Sequence, residues 1–234
     1  MIHTDSIAFI HFMKTGGMSM TRYLINVADG PVHAFSDRTS HAHTRKMPLS
    51  ADSAARLTCV DGPRHADMAT ALRLIRDNGL ILPPRAVVMI RHPVDLMLSF
   101  YKHLQKPHVW TQRGMTRDTL RGQVRVAVQN SFADFARQVR FYGLDDAGAA
   151  AYFQQPGPEA GFDTRDIVPL AQIDAYLAVR FGQCRNYPHV RLGHQNRSRG
   201  GQHPDAVDAD TRAYICRSYP QLLDIYNMAC ATRW

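Results

Sequence analysis

Residues 7–20 constrain the fold more than any other part of the chain. The short apolar run at residues 7–10 is typical of a buried strand, and apolar residues then recur at helical spacing over residues 23–27. The turn between them contains Gly16 and Gly17. Glycine lets backbone N–H groups approach an oxyanion closely, and the start of the next helix adds unpaired donors and a positive dipole end. The segment therefore predicts a strand, loop and helix that bind a phosphate or a sulfate.

The position of the lysine distinguishes this loop from the Walker A loop of ATP-binding and GTP-binding proteins. In a Walker A loop the lysine follows the glycines, and the Ser or Thr after it binds Mg²⁺. Here Lys14 precedes Gly16 and Gly17, and Ser19 comes later. This order argues against an ordinary ATPase or GTPase, with a Mg-ATP-dependent kinase of the P-loop class kept as an alternative.

Predicted strands and helices alternate along the rest of the chain. The clearest strand, at residues 85–90, is almost continuously apolar, as expected for a parallel strand covered on both faces. The other predicted strands are residues 32–35, 56–62 and 189–192. The predicted helices are residues 18–28, 66–77, 93–104, 131–142, 167–181 and 209–231, the last as one or two helices. This alternation predicts a single α/β domain with a P-loop-like parallel sheet flanked by helices and a helical C-terminal part.

A second candidate anion-binding motif follows the strand at residues 85–90. Pro93 suits the first turn of a helix, where a missing N–H does no harm. Arg91 is then expected at the C-terminal end of a parallel strand, the side on which doubly wound sheets bind ligands, with Ser99 two turns into the helix. A planar guanidinium can hold a phosphate through two hydrogen bonds, and a hydroxyl adds another.

These two motifs resemble those of sulfotransferases that use 3′-phosphoadenosine 5′-phosphosulfate (PAPS), particularly the carbohydrate-type branch, sulfotransferase family 2. The usual forms there are Phe-Ile-His-Ile-Pro-Lys-Thr-Gly-Gly-Thr-Ser and Arg-Asp-Pro-Val-Glu-Arg-x-x-Ser. The resemblance implies the sulfotransferase fold and a donor site that needs no metal. It also implies the donor-binding residues, which are Lys14, Thr15, Gly16, Gly17, Met18 and Ser19 at the 5′ end and Arg91 and Ser99 at the 3′-phosphate.

The chain departs from the family pattern within both motifs. Met13 stands where proline is usual, Met18 where a threonine hydroxyl is usual, and His92 where aspartate is usual. The loop therefore lacks one side-chain donor at residue 18. Further along, residues 194–201 resemble the short Leu-Asn-x-Ser-Arg segment that covers the adenosine end, which implies that Arg199 also contributes to donor binding.

The resemblance implies an in-line transfer of a sulfuryl group, in which positioning and charge stabilisation supply most of the catalysis. Lys14 is the expected cation at the leaving phosphate. The acceptor hydroxyl also needs a base, which the family often supplies as a histidine on the loop before the arginine motif. His65 is our choice, because an imidazole titrates near neutral pH, and Asp61 is its rival.

The predicted organisation places a donor-binding core at residues 1–105, an acceptor-side insertion at residues 106–165, and a helical end with the donor lid at residues 166–234. The acceptor is expected to be a carbohydrate or a small molecule, and the sequence does not specify it. Oligomeric state is equally unspecified by the sequence.

Composition limits the classes of ligand and site that the protein can have, but it does not identify its function. The formal net charge of +8 favours anionic ligands in general, so a non-catalytic protein that binds polyanions is a second alternative. The four cysteines are scattered, which favours neither a zinc site nor a disulfide framework. No apolar stretch approaches the length of a membrane span. We therefore expect a cytoplasmic enzyme, of bacterial type because animal members of the branch are generally membrane-anchored, with no nucleic-acid partner.

Overall fold

The computed structural model describes residues 1–37, 49–155, 157, 161–184, 192, 206–232 and 234. Its strands are β1 (Ile2–His3), β2 (Ile7–Ile10), β3 (Val32–Ser36), β4 (Leu57–Asp61), β5 (Arg85–Ile90) and β6 (Thr164–Pro169). Its α-helices are α1 (Gly17–Val27), α2 (Ala51–Arg56), α3 (Met68–Asp77), α4 (Pro93–Leu104), α5 (Pro107–Thr111), α6 (Gly122–Gln129), α7 (Phe132–Gln138), α8 (Asp146–Ala150), α9 (Ile173–Phe181), α10 (Ala209–Ser218) and α11 (Pro220–Ala231). Short 3₁₀ turns lie at Phe141–Gly143 and Leu170–Gln172.

The strands form one mixed sheet in the order β4-β3-β1-β2-β5-β6. Strands β2, β5 and β6 run parallel to one another, as do β3 and β4, while β1 is antiparallel to both β2 and β3. The expected α/β fold with helices around a sheet is confirmed. The expectation of an all-parallel sheet is wrong, because β1 lies between β3 and β2 and runs antiparallel to both.

A tight turn explains why β1 pairs antiparallel with β2. Thr4 donates its backbone N–H to the carbonyl of Ile7 at 2.9 Å, and its Oγ1 accepts the backbone N–H of Ile7 at 3.1 Å. The turn places Ile2 opposite Phe9 and His3 opposite Ala8. A strand of two residues is too short to show an alternation of apolar and polar residues, so it could not be predicted from the sequence pattern.

The predicted helix at residues 167–181 is only partly correct. Thr164–Pro169 form β6 instead, and the helix begins at Ile173. Asp166 of β6 is buried, and both of its carboxylate oxygens accept hydrogen bonds from Arg85 Nη1, at 2.8 and 3.0 Å. Tyr176 also donates its hydroxyl to Asp166, at 2.9 Å. The polar residues at the start of this edge strand, including the paired carboxylate of Asp166, leave no apolar run, which concealed β6 in the sequence.

The hydrophobic core of the sheet lies between β2, β5 and two helices. Phe9 and Val87 from the strands pack with Leu24 of α1 and Leu177 of α9, and all four side chains are buried. Burying residues of this size contributes about 1.5–3 kcal/mol each. This packing holds β2 and α1 together, and the candidate loop joins these two elements.

The chain forms one α/β domain in which two compact units can be distinguished. The first unit comprises Met1–Ile90, Ala151–Asn196 and Met228–Trp234, and it contains the sheet. The second comprises Arg91–Ala150 and Arg197–Asn227, and α4 is its longest helix within the described residues. Of the one or two helices expected in residues 209–231, the structure has two, because α10 ends at Ser218 and α11 begins at Pro220.

An aromatic cluster forms the core of the second unit. The rings of Phe135, Phe141 and Tyr142 lie 5.8, 5.5 and 4.2 Å from that of Phe100. The hydroxyl of Tyr219 accepts the backbone N–H of Phe141 at 2.8 Å. Helix α7 ends at Gln138, so the helix predicted for residues 131–142 is shorter than expected.

The strand predicted at residues 189–192 lies outside the described residues except for Leu192. Within the part of the chain that the structure describes, no helix is both long and apolar enough to cross a membrane.

Candidate functional site

The loop between β2 and α1 turns through two residues with positive φ. Gly16 has φ 88° and Lys14 has φ 62°, so both lie in the left-handed region. This region costs a non-glycine residue about 1–2 kcal/mol, and the surrounding structure must maintain it. The buried hydroxyl of Thr15 helps, because it donates to the carbonyl of Phe12 at 2.8 Å. The side chain of Thr15 therefore holds the loop.

The N-terminus of α1 has neither a side-chain cap nor an acidic residue in its first turn. Gly16 is the N-cap residue, and no side chain caps the helix there. The first turn contains Met18 and Ser19, both half-buried. The first N–H groups of a helix lack partners within the helix, and its dipole places a partial positive charge at this end. The start of α1 thus offers the donors and the field that an anion requires.

His11 lies directly under this helix start. Its ring is buried against Gly17, so close that a Cβ built on Gly17 would clash with His11 Nε2. Its Nδ1 is buried and has no hydrogen-bond partner within the described part of the chain. Burial lowers the pKa of His11 well below 6.5, and His65, Arg64 and Lys14 lower it further through their charge. His11 is therefore a neutral imidazole at pH 7.

Gly17→Ala should destabilise the protein, because the new methyl group cannot coexist with the His11 ring in its present position. Overpacking of this kind costs about 1–3 kcal/mol, which lowers Tm by roughly 3–10 °C in a chain of this size. Differential scanning calorimetry measures the change.

Combining Gly17→Ala with His11→Ala supplies the matched control, since the second substitution removes the clashing ring. The double variant should lose less stability than the sum of the two single variants. An unchanged Tm in Gly17→Ala alone would contradict the close packing of His11 on the helix start.

His65 adjoins the loop through His11. Its Nδ1 lies 3.0 Å from the carbonyl oxygen of His11, and the two ring centroids are 4.4 Å apart. A carbonyl oxygen only accepts, so Nδ1 carries the proton and Nε2 is left as the basic nitrogen. The side chain remains accessible to solvent. Partial desolvation is the main cause that lowers the pKa of His65 below 6.5, which keeps Nε2 unprotonated at neutral pH.

Tyr152 helps to hold His65 in place. It belongs to the region that was expected to be an acceptor-side insertion. Its hydroxyl donates to the carbonyl of His65 at 3.0 Å, and its ring lies 5.0 Å from that of Phe12. Phe153, the next residue, also packs against Phe12 at 5.0 Å. Tyr152 and Phe153 are thus core residues that hold the loops in place.

Asp61, the rival base, lies elsewhere on the sheet. It is the last residue of β4, which is an edge strand separated from β2 by β3 and β1. Three strand spacings put its backbone about 14 Å from β2. Strand order therefore places Asp61 away from β2, whereas the hydrogen bond to His11 places His65 beside the loop.

Arg64 and His11 are the residues near the loop to which sequence reasoning assigned no role. Arg64 Nη1 lies 3.7 Å from Met18 Sδ, in the first turn of α1. The position of Arg64 next to His65 in the sequence could have indicated that Arg64 lies near the loop. The burial of His11 under Gly17 could not have been predicted, because it depends on the three-dimensional packing.

The second motif lies in the second unit. Arg91 is half-buried, and its Nε has no hydrogen-bond partner among the residues that the structure describes. Burial lowers the pKa of Arg91, while the charge of Asp95 acts in the opposite direction. Ser99 is half-buried and lies one turn after Asp95 on α4. Arg199 lies outside the described residues.

His92 caps α4 in the position where the resembled family usually has aspartate. Its Nδ1 accepts the backbone N–H of Val94 at 3.2 Å, and Pro93 is the first residue of the helix. The neutral imidazole thus satisfies one of the unpaired donors at the helix start. This departure from the family pattern preserves the helix that carries Ser99.

The loop residues and His65 thus belong to the first unit, and Arg91 and Ser99 belong to the second. Among the described residues, no group of three or more His, Cys, Asp or Glu side chains could hold a metal ion. Comparisons of the chain with protein-family models, with curated proteins and with solved structures find no match.

Proposed function

We propose that the protein is a sulfotransferase that moves a sulfuryl group from PAPS to a hydroxyl of a carbohydrate or a small molecule. The observation that carries the proposal is the loop before α1, where Lys14 at φ 62° precedes Gly16 at φ 88° and the helix has no side-chain cap. Such a loop supports binding of a phosphosulfate, because backbone N–H groups and one lysine can surround its oxygens.

Lys14 and the start of α1 stabilise the charge that develops when the donor is cleaved. The acceptor oxygen attacks sulfur, and the bond between sulfur and the bridging oxygen breaks. The leaving group is 3′-phosphoadenosine 5′-phosphate, whose new negative charge lies on the 5′-phosphate. A lysine and helix N–H groups that face this charge act where it forms, which is the most effective place for electrostatic catalysis.

His65 is the proposed general base. Its Nδ1 proton is held by the carbonyl of His11 at 3.0 Å, so Nε2 can take the proton of the acceptor hydroxyl as the new oxygen–sulfur bond forms. Its lowered pKa keeps it neutral near pH 7, as a base requires. The distance of Asp61 along the sheet favours His65 for this role.

Arg91 and Ser99 are proposed to bind the 3′-phosphate of the donor, as the resemblance implies, and Arg199 to assist them. The half-buried guanidinium of Arg91 supports this role, because its Nε has no partner within the described residues. A buried donor without a partner is costly, and a phosphate would satisfy it.

Calorimetric titration with 3′-phosphoadenosine 5′-phosphate, AMP and Mg-ATP tests this proposal. We expect 3′-phosphoadenosine 5′-phosphate to bind without metal, and more tightly than AMP or Mg-ATP. Arg91→Ala should bind it about 10- to 100-fold more weakly, because a charged hydrogen bond contributes about 1.5–3 kcal/mol. The same variant should bind AMP as the wild type does, since AMP has no 3′-phosphate.

Two other outcomes would replace the proposal. Preference for Mg-ATP would favour the kinase alternative. Salt-sensitive binding to heparin that does not change in Lys14→Ala or Arg91→Ala would favour a non-catalytic polyanion-binding protein, which the net charge of +8 motivates.

A further inference from the structure

His92 caps the start of α4 through a nitrogen that carries no proton. Its Nδ1 accepts the backbone N–H of Val94 at 3.2 Å. An imidazole nitrogen accepts a hydrogen bond only while it is unprotonated, so the contact requires a neutral ring with its proton on Nε2. The residues that most often cap helices, Ser, Thr, Asp and Asn, keep their acceptor oxygen in mild acid. A histidine cap is therefore one that mild acid can open.

The start of α4 also disfavours a positive charge on His92. Pro93 is the first residue of the helix and has no N–H, so the N–H of Val94 is the first donor there that needs a partner. Protonation of Nδ1 would set two donors against each other. The positive end of the helix dipole adds to this cost.

The surroundings of His92 offer the protonated ring a different partner. His92 is half-buried, and its ring lies 5.3 Å from that of Tyr226 on α11, at an angle of 89°. Desolvation is the largest influence on the pKa of His92 and lowers it. The charge of Asp95, in the first turn of α4, raises this pKa, and that of Arg212 on α10 lowers it. Arg91, the other neighbouring charge, precedes His92 in the chain. The neutral ring is thus bound to the helix start, and the protonated ring has a carboxylate one turn away.

We propose that His92 is a pH-sensitive cap, which holds the first turn of α4 while its imidazole is neutral and releases that turn when the imidazole is protonated. The cap adjoins the second motif, since Arg91 precedes it and Ser99 lies on α4. It does not depend on the proposed function, because it concerns the conformation of the helix whatever ligand the motif binds. All the groups that form it belong to the second unit.

Nuclear magnetic resonance of the ¹⁵N-labelled protein tests the cap directly. The neutral ring of His92 should carry its proton on Nε2. Between about pH 7.5 and pH 5, which spans the ordinary pKa of histidine, the amide resonance of Val94 should titrate with the same midpoint as that ring. His92→Asn should abolish this titration of Val94, because the amide oxygen of asparagine accepts throughout this range. His108→Asn is the matched control, since His108 is exposed on α5, and it should leave the titration unchanged.

Urea unfolding measures what the cap contributes to stability. Because the pKa of His92 is lowered in the folded protein, the unfolded chain binds more protons as the pH falls through 6.5, and the wild type loses stability there. At about pH 7.5 His92→Asn and the wild type should be similarly stable, whereas at about pH 5 the unfolding equilibrium constant of His92→Asn should be about 2- to 30-fold smaller. His92→Ala lacks the cap at both pH values. Its unfolding constant should therefore exceed that of the wild type by the same factor at about pH 7.5 and approach it at about pH 5.

Three results would overturn the pH-sensitive cap. The first is a Val94 amide that does not titrate with His92, and the second is a neutral ring with its proton on Nδ1, since either shows that the cap hydrogen bond does not form. The third is a loss of stability in mild acid that is as large in His92→Asn as in the wild type. If His92→Ala does not fold, the resonance of Val94 and the comparison of His92→Asn with the wild type still decide the question.

Discussion

Lys14→Ala should reduce the rate of sulfuryl transfer from PAPS by at least about 100-fold, in line with the loss of one group that stabilises charge in a transition state. Lys14 is half-buried in the loop that precedes α1, and its positive charge reaches His11 beside it. Mass spectrometry of acceptors incubated with donor and enzyme measures the rate as the gain of one sulfuryl group.

The backbone at Lys14 makes alanine a suitable replacement. Lys14 has φ 62°, and alanine pays about the same cost there as lysine, because both have a Cβ. The loop should therefore keep its conformation, and Tm should change little. Lys14→Arg keeps the charge and should retain more activity than Lys14→Ala, while Arg73→Ala removes an exposed charge on α3 and should have no effect. Near-wild-type turnover in Lys14→Ala would show that Lys14 has no part in catalysis.

The parts of the fold that were predictable are those encoded by neighbouring residues. Strand β2, the glycine turn and α1 follow one another directly, so apolar period and glycine position define them without knowledge of the tertiary structure. The same holds for β5 and for Pro93 at the start of α4. The observed bounds of these elements are within one or two residues of the predicted ones.

Long-range pairing decided the parts that were missed. Strand β6 contains a charged residue, Asp166, that the sequence gives no reason to bury. Its burial is explained by its hydrogen bond with Arg85, which lies 81 residues earlier in the chain. The first strand is two residues long and owes its direction to the turn at Thr4. Both features depend on partners that no local window contains.

The candidate site shows the same division. The loop residues could be named from their order, but the contact between His11 and His65 joins residues 54 positions apart. The choice between His65 and Asp61 was open in the sequence, because both belong to one short segment after a strand. Strand order separates them, since β4 is at the edge of the sheet and His65 returns to the loop.

His65→Gln should lower kcat about 10²- to 10⁴-fold, the usual contribution of a general base, while leaving the affinity for 3′-phosphoadenosine 5′-phosphate unchanged. Glutamine is preferable to alanine as the first test. Its amide is polar and longer than the alanine methyl group, so it should disturb the packing beside His11 less, but it cannot accept a proton at neutral pH. Asp61→Asn is the comparison variant and should retain most of the activity.

The pH dependence of kcat/KM distinguishes a base from a residue that only holds the loop. The neutral form of His65 is the active one, and its pKa is lowered below 6.5, chiefly by partial desolvation. Wild-type activity should therefore stay level as the pH falls to about 6.5 and decline below that value, because protonation of Nε2 removes the base. In His65→Gln this decline should disappear from the residual activity. If the variant loses activity but keeps the same acid limb, His65 is a positioning residue and another group accepts the proton.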